Sequence, residues 1–211
     1  MAIIVIGGHS RSVGKTSVVA GLISALPEFD WTAVKITQYG HGVCSANGEA
    51  CDCATTDHAW AISEEHDRTG ESDTSRFLLA GAAHALWVRT EQGRLAEAIP
   101  ALRKRIEGTG NVIIESNSVL KFLRTDLYLT VLDPATADFK NSAREFLDRA
   151  GAVLLHETGE SAWQAVSLKP IADRPAFRIR PPKYVTHEVV EFVRSRLMAR
   201  SVDERKLKAE S

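Results

Sequence analysis

Long apolar runs, net charge and cysteine are all scarce in this chain. The apolar stretch at the start, Ala2 to Ile6, has five residues and no basic segment ahead of it. That is too short to span a membrane and lacks the flank of a secretion signal, so a cytoplasmic protein with no membrane partner is expected. Lys and Arg number 26 against 27 Asp and Glu, giving a formal charge of −1. No net field draws such a chain onto DNA or RNA, so nucleic acid is excluded as an expected partner. The three cysteines, Cys44, Cys51 and Cys53, are odd in number and crowded together, which makes a poor disulfide framework. Hydrophobic residues reach 44% with a mean hydropathy of −0.13, an ordinary globular balance that argues against disorder and collagen-like repeats.

The 211 residues suit one compact domain over 1–200, followed by a charged tail, 201–211, that lacks an apolar face and is expected to fray. Residues 2–6 read as a buried strand closed by Gly7-Gly8, and residues 14–26 as a helix whose stripe is Val18, Val19, Leu22, Ile23 and Leu26. A second strand covers 31–36. The polar stretch 37–72 reads as a long functional loop. Beyond it come a helix at 73–83, strand 84–89, helix 94–106, strands 111–115 and 126–132, helix 142–150 and strand 151–155. Phe177 to Ile179 suits an edge strand, and Thr186 caps a last helix. Alternation of this kind predicts an α/β fold, a mostly parallel sheet with helices on both faces.

The segment Gly8-His9-Ser10-Arg11-Ser12-Val13-Gly14-Lys15-Thr16-Ser17 lies between the first strand and the first helix. It has the chemistry of a phosphate-cradling loop. Backbone amides of Ser12 to Ser17 and the helix N-terminus attract a triphosphate, Lys15 reaches the β- and γ-phosphates, and the Thr16 hydroxyl suits Mg²⁺. The strict spacing of that motif puts its first glycine at His9, whereas Gly8 stands one residue earlier. Glu115, ending an apolar strand beside this loop, is a second candidate Mg²⁺ ligand and catalytic group; the alternative is a surface Glu opening a loop. Lys35 either reaches a phosphate or carboxylate from within its apolar strand or faces solvent at the strand end. Asp73, opening a helix, suits a helix cap. Solvent exposure is expected for His9 and Arg11. No Asn/Thr-Lys-x-Asp stretch with the spacing of a guanine grip occurs, so the residues leave ATP and GTP open.

This order resembles the molybdopterin-guanine dinucleotide biosynthesis adaptor family of small P-loop NTPases, related to dethiobiotin synthetase. The matching stretches are the Gly14-Lys15-Thr16 loop, Val34-Lys35-Ile36-Thr37 with His41 following, Asp73-Thr74-Ser75-Arg76 leading to Ala80-Gly81-Ala82, and Ile114-Glu115. They span roughly residues 1–120. The resemblance implies a P-loop NTPase fold, Mg²⁺ with GTP or ATP, slow hydrolysis, and Asp73 near the nucleotide as a second metal- or water-positioning carboxylate. It leans towards GTP and towards a protein partner in cofactor assembly. Ser116 stands where the family usually has glycine, Ser10 stands where the related partition ATPases have a signature lysine, and the cysteines lie outside the resemblance. An ATP-dependent ligase or kinase acting on a small carboxylate, with Lys35 holding the substrate, is the competing enzymatic reading. A metal-binding module dimerised by nucleotide is the non-enzymatic one.

Cys44, Cys51 and Cys53, flanked by His41 and His58, put up to five soft or borderline ligands into eighteen residues. Zinc takes four such ligands and an iron–sulfur cluster prefers thiolates, while the C-x6-C-x-C spacing belongs to no standard finger or ferredoxin. Two such loops could share a site in a homodimer. Replacing the three cysteines by serine is expected to strip bound zinc or iron, read by elemental analysis. Nucleotide turnover that survives the loss would separate metal binding from catalysis, and retained metal would remove the cysteine assignment.

Overall fold

A computed structural model describes residues 1–40, 59–157, 161–163 and 166–209, with side chains described as far as Ala199. One sheet is built from β1 (Ile3–Gly8), β2 (Trp31–Tyr39), β3 (Trp60–Glu64), β4 (His84–Glu91), β5 (Asn111–Glu115), β6 (Leu127–Leu132), β7 (Ala152–His156) and β8 (Ala176–Ile179). Its order is β3-β4-β2-β5-β1-β6-β7-β8, and every pairing is parallel except that of the edge strand β3 with β4. The helices are α1 (Lys15–Ala25), α2 (Asp73–Leu79), α3 (Leu95–Ile106), α4 (Asn141–Glu145) and α5 (His187–Ala209).

Two apolar layers sandwich this sheet, because alternate residues of each strand face opposite sides. Ile4 and Ile6 of β1, with Ala33 and Ile113, pack against Val18, Val19 and Leu22 of α1, Phe77 of α2 and Val189 and Val193 of α5. Val5, Val34, Val112 and Ile114 face the other way, against Leu95, Ala98, Ile99 and Leu102 of α3 and Ala143 of α4. The expected α/β architecture is thus present, with helices on both faces. None of the described helices is long and apolar enough to cross a membrane.

Several boundaries depart from the sequence reading. The stretch 37–72 is not all loop: β2 runs on to Tyr39, and Trp60 and Ile62 make β3, packing on the α3 side of the sheet. α2 stops at Leu79, not Ala83, because Gly81 (φ 107°) closes it: Gly81 N–H donates to Leu78 O (3.1 Å) and Ala82 N–H to Phe77 O (3.0 Å). The helix expected at 142–150 divides at Phe146 (φ −116°, ψ 12°) into α4 and a 3₁₀ turn, Leu147–Arg149. Past Ser201, where fraying is expected, the backbone continues α5 to Ala209.

Leu22 is wholly buried on the inner stripe of α1. Leu22→Ala should cost roughly 2–5 kcal/mol, the usual range for a Leu cavity, read as a lowered urea midpoint with unchanged slope. A loss below ~1 kcal/mol would mean that the inner stripe of α1 is not packed tightly on the sheet.

Candidate functional site

β1 lies in the middle of the sheet between β5 and β6, and the chain leaves its carboxyl end through the Gly8–Gly14 loop into α1. Crevices at this edge of an open parallel sheet are where ligands bind. The start of the loop is pinned by Asn117, which follows β5: Gly8 N–H donates to Asn117 Oδ1 (3.0 Å) and Asn117 Nδ2 donates to Gly8 O (2.8 Å). That approach explains Gly7, where a Cβ would lie 2.1 Å from Asn117 Oδ1. Further on, Ser12 (φ 55°) and Gly14 (φ 90°) are left-handed, turning successive amides towards one side as an anion nest does. Val13 buries its side chain in the core, and its carbonyl accepts a bond from His156 Nε2 (2.9 Å), so only its backbone N–H is available to a ligand. Tyr184 covers Gly14 so closely that a Cβ there would sit 2.0 Å from its ring.

Lys15, in the first turn of α1, donates to Ser10 O at 2.7 Å, so its ammonium folds back over the loop. Burial pushes its pKa down from 10.5 to about 8; Glu115 works against this, and the cations Lys140 and Lys35 add to it. Lys35 is treated differently. The register sets Lys35 of β2 beside Glu115 of β5, and neighbours in a parallel pair point to the same face. Lys35 Nζ lies 2.5 Å from Glu115 Oε1 and 2.8 Å from Asp73 Oδ2, the latter at the start of α2. Burial alone would lower its pKa, but the two carboxylates outweigh that and raise it. Asp73 in turn is lowered: burial pushes it up and Lys35 more than reverses this. Thr16 Oγ1 donates to the second oxygen of Glu115 (2.8 Å), completing a Lys35, Asp73, Glu115 and Thr16 cluster beside the loop. Ser17 Oγ accepts from Arg76 Nη2 (3.1 Å).

The sequence candidates therefore divide. Gly8, Ser12, Val13, Gly14, Lys15, Thr16, Ser17, Lys35, Asp73 and Glu115 converge at the carboxyl edge of β1, β2 and β5. Lys35 meets carboxylates, one of the two anion classes expected for it. His41, Cys44, Cys51 and Cys53 lie outside the described residues, and among those described no group of three or more His, Cys, Asp or Glu could hold a metal. Two expectations are corrected. His9 is fully buried, its ring tilted against Phe139 and edge-on to Trp163, with centroids 5.0 Å away in each case. Asp133 N–H donates to its Nε2 (3.0 Å), so Nδ1 carries the proton and donates to Asp138 O (2.7 Å); burial lowers its pKa and keeps it neutral. The cap of α2 is Ser72, whose Oγ accepts from Ser75 N–H (3.0 Å), leaving Asp73 free for Lys35. Asn117, His156, Tyr184 and Lys140 went unread. The replacement of the expected glycine by His9 was the available signal that this loop is held from outside.

No protein-family model and no curated protein sequence matches the chain. Among solved structures it resembles HypB from Helicobacter pylori in complex with nickel, with a TM-score of 0.52 and 14% identity over 96% of this chain and 88% of that one. LpxK from Aquifex aeolicus in complex with ATP gives a TM-score of 0.48 and 18% identity, over 84% of this chain and 53% of that one, so the chain spans about half the length of LpxK. The likeness to HypB shows the fold, that of the P-loop NTPases.

The depressed Lys15 pKa has a stability consequence. Between pH 8 and 10.5 the unfolded chain keeps a proton that the folded chain has released, so stability rises with pH across that window. The penalty for the buried charge is fully present below pH 8. Lys15→Met should abolish this share of the rise, measured as the wild-type minus variant difference in denaturant midpoint. Parallel profiles would mean that Lys15 is not desolvated.

Proposed function

We propose that the chain binds a nucleoside triphosphate with Mg²⁺ in the Gly8–Ser17 loop and hydrolyses it slowly, as an accessory protein in cofactor or metal-centre assembly. The observation that carries this reading is the Lys15 ammonium. It is part-buried and hydrogen-bonded to a single carbonyl, while the carboxylates of Asp73 and Glu115 bond Lys35 directly and reach Lys15 only through space. A cation desolvated at a helix N-terminus among turned amides is matched by a polyphosphate, which restores its charge.

In this reading Lys15 passes from Ser10 O to the β- and γ-phosphoryl oxygens, and the amides of Ser12 to Ser17 hold the chain of phosphates. The Thr16 hydroxyl and the Glu115 carboxylate, already hydrogen-bonded to each other, form a hard oxygen pair that fits Mg²⁺, with Asp73 as the further carboxylate. When bound there, Mg²⁺ would supply neutralisation of phosphate charge. Lys35 orients both carboxylates. Catalysis rests on positioning and electrostatics, which accords with slow turnover. The adaptor-family reading, with GTP preferred, rests on the sequence stretches quoted above, and the cysteine segment supplies its metal or partner contact.

One observation favours the kinase or ligase alternative. A surface groove of about 470 Å³ begins at Ser17 and is lined by Arg76, Lys183 and His187, giving it room and basic groups for a small anionic acceptor. Acceptor-dependent ADP release would support it, and turnover stimulated by a protein partner alone would support the first reading.

Calorimetric titration with ATP and GTP, each with and without Mg²⁺, tests the proposal. Wild type should bind in a Mg²⁺-dependent way, and Lys15→Ala should lose at least about a hundredfold in affinity through the missing charge-assisted bonds. Undiminished affinity in Lys15→Ala would overturn it.

A further inference from the structure

The loop joining β6 to α4 carries a lysine that the nucleotide reading leaves unused. Lys140 immediately precedes α4, and its backbone N–H donates to His9 O at 2.8 Å, which ties it to the phosphate loop. The rest of its segment is tied there as well. His9 spans Asp133 and Asp138 with its two ring nitrogens, and Ser10 Oγ donates to Asp138 Oδ2 (2.7 Å). Phe139 and Trp163 close over the imidazole, and Trp163 Nε1 donates to Thr136 O (2.8 Å). The whole 133–140 segment is thus clamped onto loop residues 9 and 10. At its end sits a half-buried ammonium that makes no hydrogen bond or ion pair among the described residues.

Like charges are not left together in a partly dry crevice without cause. Lys140 feels Arg11 and Lys35 as like charges, with Asp138 and Glu115 opposing, and burial together with these cations lowers its pKa. It is also the like charge that acts most strongly on Lys15. The position of Lys15 fixes which end of a ligand is involved. Its Nζ rests on Ser10 O, at the far end of the loop from the α1 amides, and the lysine of such a loop serves the β- and γ-phosphates. Lys140 enters beside residues 9 and 10, at that same end.

Resting on the nucleotide reading, we infer that Lys140 is a cation supplied in cis to the terminal phosphoryl group, held in place by the neutral His9 clamp. Its task is that of the finger residue in other phosphoryl-transfer proteins, to offset charge on the outermost oxygens as the bond to the leaving group loosens. His9 then acts as a positioning residue. Its imidazole does what a glycine could not, bonding two points of the 133–140 segment at once. This gives the departure from the strict loop spacing a physical purpose.

Calorimetry on the full chain with Mg²⁺ and either a non-hydrolysable triphosphate analogue or the diphosphate tests the inference. Lys140→Ala should weaken triphosphate binding by about ten- to a hundredfold, the worth of one charge-assisted contact, while diphosphate affinity moves less than about threefold. Lys140→Arg should restore most of the loss, because a guanidinium can donate to the same oxygens. His9→Ala should share the selective loss, with the fold checked by unchanged secondary-structure content, since it frees the segment without touching the ammonium. Equal losses for both nucleotides, or none for either, in Lys140→Ala would overturn the assignment while leaving the nucleotide reading intact. A wild-type chain that binds neither nucleotide would overturn both.

Discussion

The Lys35 ammonium, shared by Glu115 and Asp73, is the interaction on which the geometry of this crevice depends. It joins β2, β5 and α2 through one part-buried charge, and Thr16 on α1 bonds the other oxygen of Glu115. Removing any partner would strand a charge in a medium that solvates it poorly, so the members hold one another in place. The raised pKa of Lys35 and the lowered one of Asp73 are two sides of that constraint.

Lys15 is the counterpart that is not neutralised. Its depressed pKa records desolvation first, which Glu115 opposes and the cations Lys140 and Lys35 reinforce, and its direct hydrogen bond is to a carbonyl. The contrast between the two lysines separates what is structural in the crevice from what awaits an anion. One is satisfied within the chain, and the other is stabilised further only by a ligand. Perturbed groups gathered at the carboxyl edge of a parallel sheet form the physical signature of a functional site.

Two devices shape the phosphate loop from outside its own sequence. Asn117 fixes the end of β1 by pairing both its amide groups with the Gly8 backbone. His9 fixes the following turn to the 133–140 segment, with its tautomer set by the Asp133 amide. Between them the loop hangs on two rigid supports, while Val13 anchors its underside in the core. Pre-organisation of this kind lowers the ordering cost of holding a ligand.

Most of the fold was legible in the sequence, because β1, β5 and β6 are short apolar runs and α1 and α3 carry apolar stripes that local rules can read. Short elements were not. β3 has only Trp60 and Ile62 to mark it, and its strand identity comes from pairing with β4. Within the site, Lys15, Thr16 and Glu115 stood out because their chemistry is written into a local pattern of strand, glycine and helix. By itself the sequence determined the layered α/β architecture and the phosphate loop, since those follow from periodicity and from residues adjacent along the chain. Only the tertiary structure decided that Lys35 takes two carboxylates, that His9 is buried and neutral, and that Lys140 joins the loop. Each of these contacts spans many residues of sequence, and register and packing, not local propensity, bring the partners together.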